Sequence, residues 1–160
     1  MKIEQLYTKC LAQGAYYIES NGEAAVIDPL RDVKQYIDLA KESNSKIKYV
    51  FETHFHADFI SGHLSLANLT EAQIVYGPKA DPDYEALIAK DKQVFNLGEI
   101  TLTVLHTPGH TLESTSFLLK DKNGKEHCIF TGDTLFLGDV GIPDVAQRYM
   151  GVSKEELAGI

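Results

Sequence analysis

Apolar residues along this chain fall in short runs whose spacing changes several times. Residues 15–19 (Ala-Tyr-Tyr-Ile-Glu) and 24–28 (Ala-Ala-Val-Ile-Asp) flank Ser20-Asn21-Gly22-Glu23. Asn-Gly between two such runs is a strong hairpin signal, because both residues accept the positive φ of a tight turn. Pro29 ends the second run. From Asp32 the period becomes helical: Val33, Tyr36, Ile37, Leu39 and Ala40 share one face of a predicted helix that closes near Asn44. Ile47 to Phe51 then reads as a buried strand. Beyond residue 60 the pattern predicts a short helix over Ser61 to Leu69 and a strand over Gln73 to Tyr76, stopped by Gly77-Pro78. Asp81-Pro82 opens a further predicted helix, Pro82 to Lys90, with proline acceptable in the first turn.

The next stretch reads as strand: Gln93 to Phe95, then Ile100 to Leu105, where Thr101 and Thr103 alternate with Leu102 and Val104. Ser114 to Lys120 and His127 to Thr131 form a predicted hairpin around Asp121-Lys122-Asn123-Gly124. There is no internal repeat and no low-complexity linker, and 160 residues is the length of one domain. Strand pairs interleaved with helices indicate an α/β or α+β layered domain spanning residues 1–160. Ser153-Lys154-Glu155-Glu156 is a capping box. The helix it announces has only Leu157 to Ile160 to run, too few to stand alone, so the domain is expected to be incomplete at its C-terminus and cut from a longer chain.

Composition changes this picture little. The 44% hydrophobic and 24% charged content is ordinary for a globular protein. A net charge of −8, with Lys and Arg scattered, argues against a nucleic-acid partner. Met1-Lys2-Ile3-Glu4-Gln5 lacks the apolar core of a signal peptide, and no stretch approaches membrane-spanning length, so a cytoplasmic protein without a membrane partner is expected. Cys10 and Cys128 are far apart in sequence and read as two ordinary thiols.

The chemistry concentrates after three strands. Residues 53–63 read T-H-F-H-A-D-F-I-S-G-H. If residues 54–58 stay extended, His54, His56 and Asp58 lie on one face, just past the carboxyl end of a buried strand, where ligands of α/β proteins sit. Leu102 to Leu105 runs into His106-Thr107-Pro108-Gly109-His110, and Cys128-Ile129-Phe130 runs into Thr131-Gly132-Asp133. Each is a strand, a turn residue or two, then a candidate metal ligand, and the three together indicate a metal site. His63 reads as a surface or supporting histidine, and His127 as exposed near a hairpin turn.

Those three stretches resemble the metallo-β-lactamase fold superfamily, whose central motif is HxHxDH and whose later ligands come from HTPGHT-like and GDTLF-like loops. The resemblance runs in order over nearly the whole chain. It implies an αββα sandwich with the metal at the edge between two sheets. Glyoxalase II-like members use two metals, the second needing the last histidine of HxHxDH and one nearer the C-terminus. Phe59 stands at that histidine's position and cannot ligate a metal. THFHADFISGH and GDTLFLGDVGIPD are similar to the persulfide dioxygenases, especially the bacterial branch fused to rhodanese domains. That resemblance implies one Fe(II) per chain, or Zn as an alternative, held by His54, His110 and Asp133. His56 and Asp58 would then hydrogen-bond to ligands or bound water.

The implied reaction oxidises a low-molecular-weight thiol persulfide with O2 to sulfite and free thiol. The implied partners are that persulfide and O2, with a rhodanese domain in a longer chain and a homo-oligomer also in view. Similar enzymes carry an arginine where this chain has Ile142, which weakens the case for glutathione persulfide, and Arg148 is close enough to compensate. The competing expectations are a Zn-dependent thioester hydrolase of the glyoxalase II type and an inactive metal-binding domain.

Overall fold

The computed structural model describes residues 1–143 together with Ser153, Glu155 and Glu156. Six strands, β1 (Lys2–Thr8), β2 (Gln13–Ser20), β3 (Glu23–Ile27), β4 (Lys46–Phe51), β5 (Gln73–Tyr76) and β6 (Leu87–Ile88), form one mixed sheet in sequence order. The β2–β3 hairpin closes from Ser20 to Glu23, with Asn21 and Gly22 at φ of 50° and 80°. Two consecutive left-handed residues match the strands' own twist. Strands β3, β4, β5 and β6 pair in parallel. Helix α1 (Lys34–Glu42) makes the β3–β4 crossover and α2 (His63–Thr70) the β4–β5 crossover.

The second sheet is an antiparallel meander of β7 (Val94–Leu97), β8 (Ile100–His106), β9 (Thr115–Lys120) and β10 (Glu126–Phe130). In β8 the alternation is legible in the burial, since Ile100, Leu102 and Val104 are buried while Thr101 and Thr103 are half-exposed. Those residues and Phe117 face Ile18, Ile27, Phe51 and Val75 of the first sheet in one core. Phe51 sits at its centre, with ring centroids 4.9 Å from Phe117 and 5.4 Å from Phe95. The opposite face of the first sheet carries both helices, through Tyr17, Val26 and Val50 against Tyr36 and Leu66. The order is therefore helices, sheet, sheet. Among the described residues no helix covers the outside of the second sheet, the fourth layer of the expected sandwich.

Two segments differ from their periodicity. Residues 82–90 form no helix. Leu87 and Ile88 instead extend the first sheet, opposite Val75 and Tyr76, and the Ala89 N–H donates to the Tyr76 carbonyl at 2.8 Å. Tyr84 is drawn the same way, its hydroxyl 2.8 Å from that of Tyr76. Open hydrogen-bonding positions on β5 thus outweigh a local helical tendency. Strand β1, which the pattern did not announce, pairs with β2 from Lys2↔Glu19 to Thr8↔Gln13. As an edge strand it is never fully buried, so its sequence needs no clear alternation. A 3₁₀ turn (Gly132–Thr134) leads from β10 into a ribbon of β11 (Leu135–Phe136) and β12 (Asp139–Val140). The Ser153 capping box forms, with the Glu156 N–H donating to Ser153 Oγ at 3.2 Å and the Ser153 N–H to Glu156 Oε2 at 3.0 Å. Asp144, Arg148 and residues 157–160 lie outside the described residues.

Candidate metal centre

The three histidine- and aspartate-bearing stretches leave the carboxyl ends of β4, β8 and β10 along one edge of the two-sheet core. Backbone bonds stitch the sheets there: the Thr115 N–H donates to the Thr53 carbonyl at 2.9 Å. The buried Glu113 carboxylate accepts the Phe55 N–H at 3.1 Å, tying the turn after β8 to the turn after β4.

His54, His110 and Asp133 each offer a ligand atom, and these atoms lie within 4.8 Å of one another. Asp133 Oδ2 is 3.9 Å from His54 Nε2 and 3.7 Å from His110 Nε2. The hydrogen bonds around them locate the protons. The His110 Nδ1 is 2.8 Å from the Ile142 carbonyl, which can only accept, so Nδ1 carries the proton and Nε2 keeps its lone pair. Thr53 Oγ1 is 2.8 Å from Asp28 Oδ2 and 3.0 Å from His54 Nδ1. The carboxylate takes the one hydroxyl proton, so Thr53 must accept from His54 Nδ1–H, and the His54 lone pair is again on Nε2. The Thr53 N–H also donates to Asp28 Oδ1 at 2.8 Å.

Burial, together with the nearby His56 charge, pushes the His54 pKa down to about 3, so its ring is neutral at physiological pH. Burial also raises the Asp133 pKa. Gly132 brings that aspartate close: at φ of +50°, a Cβ there would lie 2.4 Å from Thr53 Oγ1. Two unprotonated ring nitrogens and a carboxylate aimed at one place form a donor set that fits a divalent transition metal.

His56 does not join them. Its ring lies between those of His54 and Phe59, at 4.3 Å from each, and its Nε2 faces two buried carboxylates, Asp28 Oδ1 at 3.1 Å and Glu52 Oε2 at 3.7 Å. The 3.1 Å contact is off the line of a proper hydrogen bond, so the attraction is mainly electrostatic. Burial opposes charging of His56, but Asp28 and Glu52 outweigh it and push its pKa up to about 9. Burial beside Asp28 pushes Glu52 up to about 8. Asp28 faces the same burial, and the His56 charge holds it below the ordinary carboxylate value.

His56 packs ring to ring against His54 and turns its Nε2 to Asp28 and Glu52, and Asp58 stands exposed on the cavity rim. Asp28, Thr53 and the Ile142 carbonyl do the orienting. His63, expected as a surface or supporting histidine, has both ring nitrogens buried without hydrogen-bond partners, Nδ1 3.7 Å from Glu52 Oε1, and its ring 5.0 Å from that of Tyr84. His106 pins the turn that presents His110, its Nε2–H donating to the Leu112 carbonyl at 2.9 Å. His127 is exposed.

Sequence reasoning missed Asp28, Glu52, Thr53 and Glu113. Ile27 pairs with Phe51 in the parallel β3–β4 ladder, so Asp28 and Glu52 leave it side by side, a pairing that no local pattern announces. A cavity of about 710 Å³ opens beside the centre, with Asp133 of the three ligands among its lining residues, together with Asp28, His56 and Asp58.

A family model described as Metallo-beta-lactamase superfamily matches residues 9–158. The chain is 36% identical over 146 residues to "Hydroxyacylglutathione hydrolase cytoplasmic" of Arabidopsis thaliana, covering 88% of this chain and 55% of that one. It is 29% identical to "Hydroxyacylglutathione hydrolase, mitochondrial" of Saccharomyces cerevisiae, over 88% of this chain and 53% of that one. The chain thus spans about half the length of the curated relatives it matches. Among solved structures, a metallo-beta-lactamase from Staphylococcus aureus superposes with a TM-score of 0.83 at 40% identity, over 91% of this chain and 47% of that one. ETHE1 from Myxococcus xanthus superposes with a TM-score of 0.77 at 28% identity, over 88% and 61% respectively.

Proposed function

The chain belongs to the metallo-beta-lactamase superfamily, and from that premise we propose that it is a one-metal enzyme acting at the sulfur of a small thiol conjugate, with the metal held by His54, His110 and Asp133. One observation carries the count of one. The Phe59 ring stands where two-metal members would carry a further histidine, and it lies against His56, whose Nε2 is engaged with Asp28 and Glu52.

Two reactions suit such a centre. The names of the curated relatives support hydrolysis of a thioester, for which a Zn2+ ion would supply an acidified water. The ligand set supports oxidation of a persulfide. Two histidines and one carboxylate with open positions suit Fe(II) and O2 chemistry, and R-S-SH, O2 and H2O would give R-SH, sulfite and two protons. The weight of similarity lies with hydrolysis, and two histidines with one carboxylate suit a catalytic Zn2+ as well as Fe(II). In either reaction the chain's own part is the same. Asp28 acting through Thr53 keeps the His54 proton on Nδ1, the Ile142 carbonyl does so for His110, and Phe59, Leu135 and Phe136 wall the cavity against water. The names of the relatives place one in the cytoplasm and one in the mitochondrion, and among the described residues no helix is long and apolar enough to cross a membrane.

Metal analysis after anaerobic purification tests the count, and the expected result is one equivalent per chain. Two tightly held zinc ions would overturn it. O2 consumption with a thiol persulfide, lost in His110→Ala, supports oxidation; thioester cleavage by the zinc-loaded chain without O2 uptake selects hydrolysis instead.

A further inference from the structure

One buried carboxylate beside the centre belongs neither to the three ligands nor to the group around His56. Glu113 is 2% exposed and lies three residues past His110. Its Oε1 accepts the Phe55 N–H at 3.1 Å, while Oε2 is buried and, among the described residues, has no hydrogen-bond partner. An unsatisfied buried acceptor costs stability, so packing alone does not account for a glutamate at this position.

What the side chain holds is the backbone of a candidate ligand. Phe55 follows His54 directly, and the Thr53 carbonyl just before His54 accepts the Thr115 N–H at 2.9 Å. Two bonds from residues 113 and 115 thus bracket His54, one on each side. They come from a turn that is fixed from within. The Thr107 N–H donates to the Ser114 carbonyl at 2.9 Å, the Thr111 N–H to Ser114 Oγ at 3.0 Å, and Thr115 Oγ1 to the Glu113 carbonyl at 2.8 Å. Thr115 is backed in turn by the residue after β5, since a Cβ on Gly77 would lie 1.7 Å from its Oγ1. The same turn carries His110. The side-chain bonds that orient the His54 ring run to Thr53 and Asp28 and do not touch this turn, whereas those from Glu113 and Thr115 join the two.

Building on the reading that His54, His110 and Asp133 hold the metal, we propose that Glu113 is a positioning residue. Its carboxylate sets the spacing of His54 from His110 through the Phe55 backbone, and so the fit of the pair to the ion.

Three variants separate this role from a merely structural one. Glu113→Met removes both oxygens at similar length, and Glu113→Gln keeps an acceptor for the Phe55 N–H. Ser20→Ala removes a comparable bond, from the Glu99 N–H to Ser20 Oγ at 3.1 Å, at the far end of the sheets. Zn2+ affinity is measured by chelator competition. Glu113→Met is expected to bind Zn2+ about 10-fold more weakly, the lower end of what loss of an outer partner costs, with Glu113→Gln close to the unaltered chain. Its Co2+ complex should show a shifted visible absorption band. Ser20→Ala should lower the melting temperature and leave affinity and band alone. Where Glu113→Met does not fold, Glu113→Asp, one methylene short of the Phe55 N–H, gives the same test. A variant that melts lower but keeps the affinity and the band overturns the proposal, as does a Glu113→Gln chain as weak as Glu113→Met. Imidazole 15N chemical shifts of the metal-free chains read the same positioning without an ion. The His54 and His110 signals should move in Glu113→Met and stay in place in Ser20→Ala. An unaltered chain that binds no metal, with those shifts seen, sinks the metal reading and keeps the positioning; unmoved signals overturn it.

Discussion

His54, His110 and Asp133 form one group of metal-binding side-chain types, and Asp28, Glu52 and His56 form another, with His54 and His56 ring to ring across the boundary at a centroid distance of 4.3 Å. Each gathers three ligand atoms within 4.8 Å. Their protons lie in different places. In the first group Thr53 and the Ile142 carbonyl hold the protons on Nδ1, so two lone pairs and a carboxylate face one point. In the second, an imidazole with a raised pKa sits between two buried carboxylates and retains its proton, so the positive charge is already supplied. Proximity of ligand types is common to both groups, and proton placement separates them.

The largest expected effects break that distinction directly. His110→Ala and Asp133→Ala should weaken metal binding by more than the roughly 10–100-fold that loss of an orienting partner costs, as read by titration with Zn2+. His56→Gln should still bind one equivalent but melt at lower temperature, because the buried Asp28 carboxylate loses its counter-charge. If His56→Gln loses metal as His110→Ala does, the two groups are one site. Next in size, Thr53→Val removes the hydroxyl between Asp28 and His54 at nearly constant volume. It should cost about 10–100-fold in metal affinity, with Thr53→Ser close to the unaltered chain.

Phe59→His places a nitrogen donor beside His56, and a second, weaker metal equivalent in equilibrium dialysis is the expected outcome. An unchanged count of one would show that the phenyl ring is not what limits it. The smallest effect is on the metal-free chain's stability against pH. The folded-state pKa of His56 is raised from 6.5 to about 9, so its contribution is complete below about pH 6.5 and is lost as pH rises through 9. Glu52, raised from 4.5 to about 8, stays protonated in the folded state and slopes the same way up to pH 8. His54, lowered to about 3, costs stability only below pH 6.5. Calorimetric melting temperatures should therefore fall by several degrees between pH 6.5 and 9, and Glu52→Gln should flatten the lower part of that fall.

What could be read from the sequence follows from how local each cause is. The alternation of Ile100, Leu102 and Val104 is a property of one strand, and the Asn21-Gly22 turn of two residues, so both were legible. His54, His110 and Asp133 were legible as candidates because each follows an apolar strand through a short turn, and the structure brings the three together. Asp28 and Thr53 gave no such sign. Asp28 follows β3 and Thr53 follows β4, and only the parallel pairing of those strands brings them within 2.8 Å. The sequence left His63 between a surface and a supporting role because nothing local reveals that Tyr84 covers it. That cover exists because residues 82–90, helical by local pattern, were recruited to the edge of β5.

The second sheet has a consequence for the order of assembly. Its four strands are consecutive in the chain and joined by segments 98–99, 107–114 and 121–125, none of them holding a helix, so its contacts close small loops. The parallel pairs β3–β4 and β4–β5 must wait for crossovers that include whole helices. Contacts between distant residues are slower to form, so the meander should be in place first. His110 and Asp133 follow strands of the early sheet and His54 a strand of the late one, so the centre is completed only when the sheets dock. Its assembly during refolding would then time that docking.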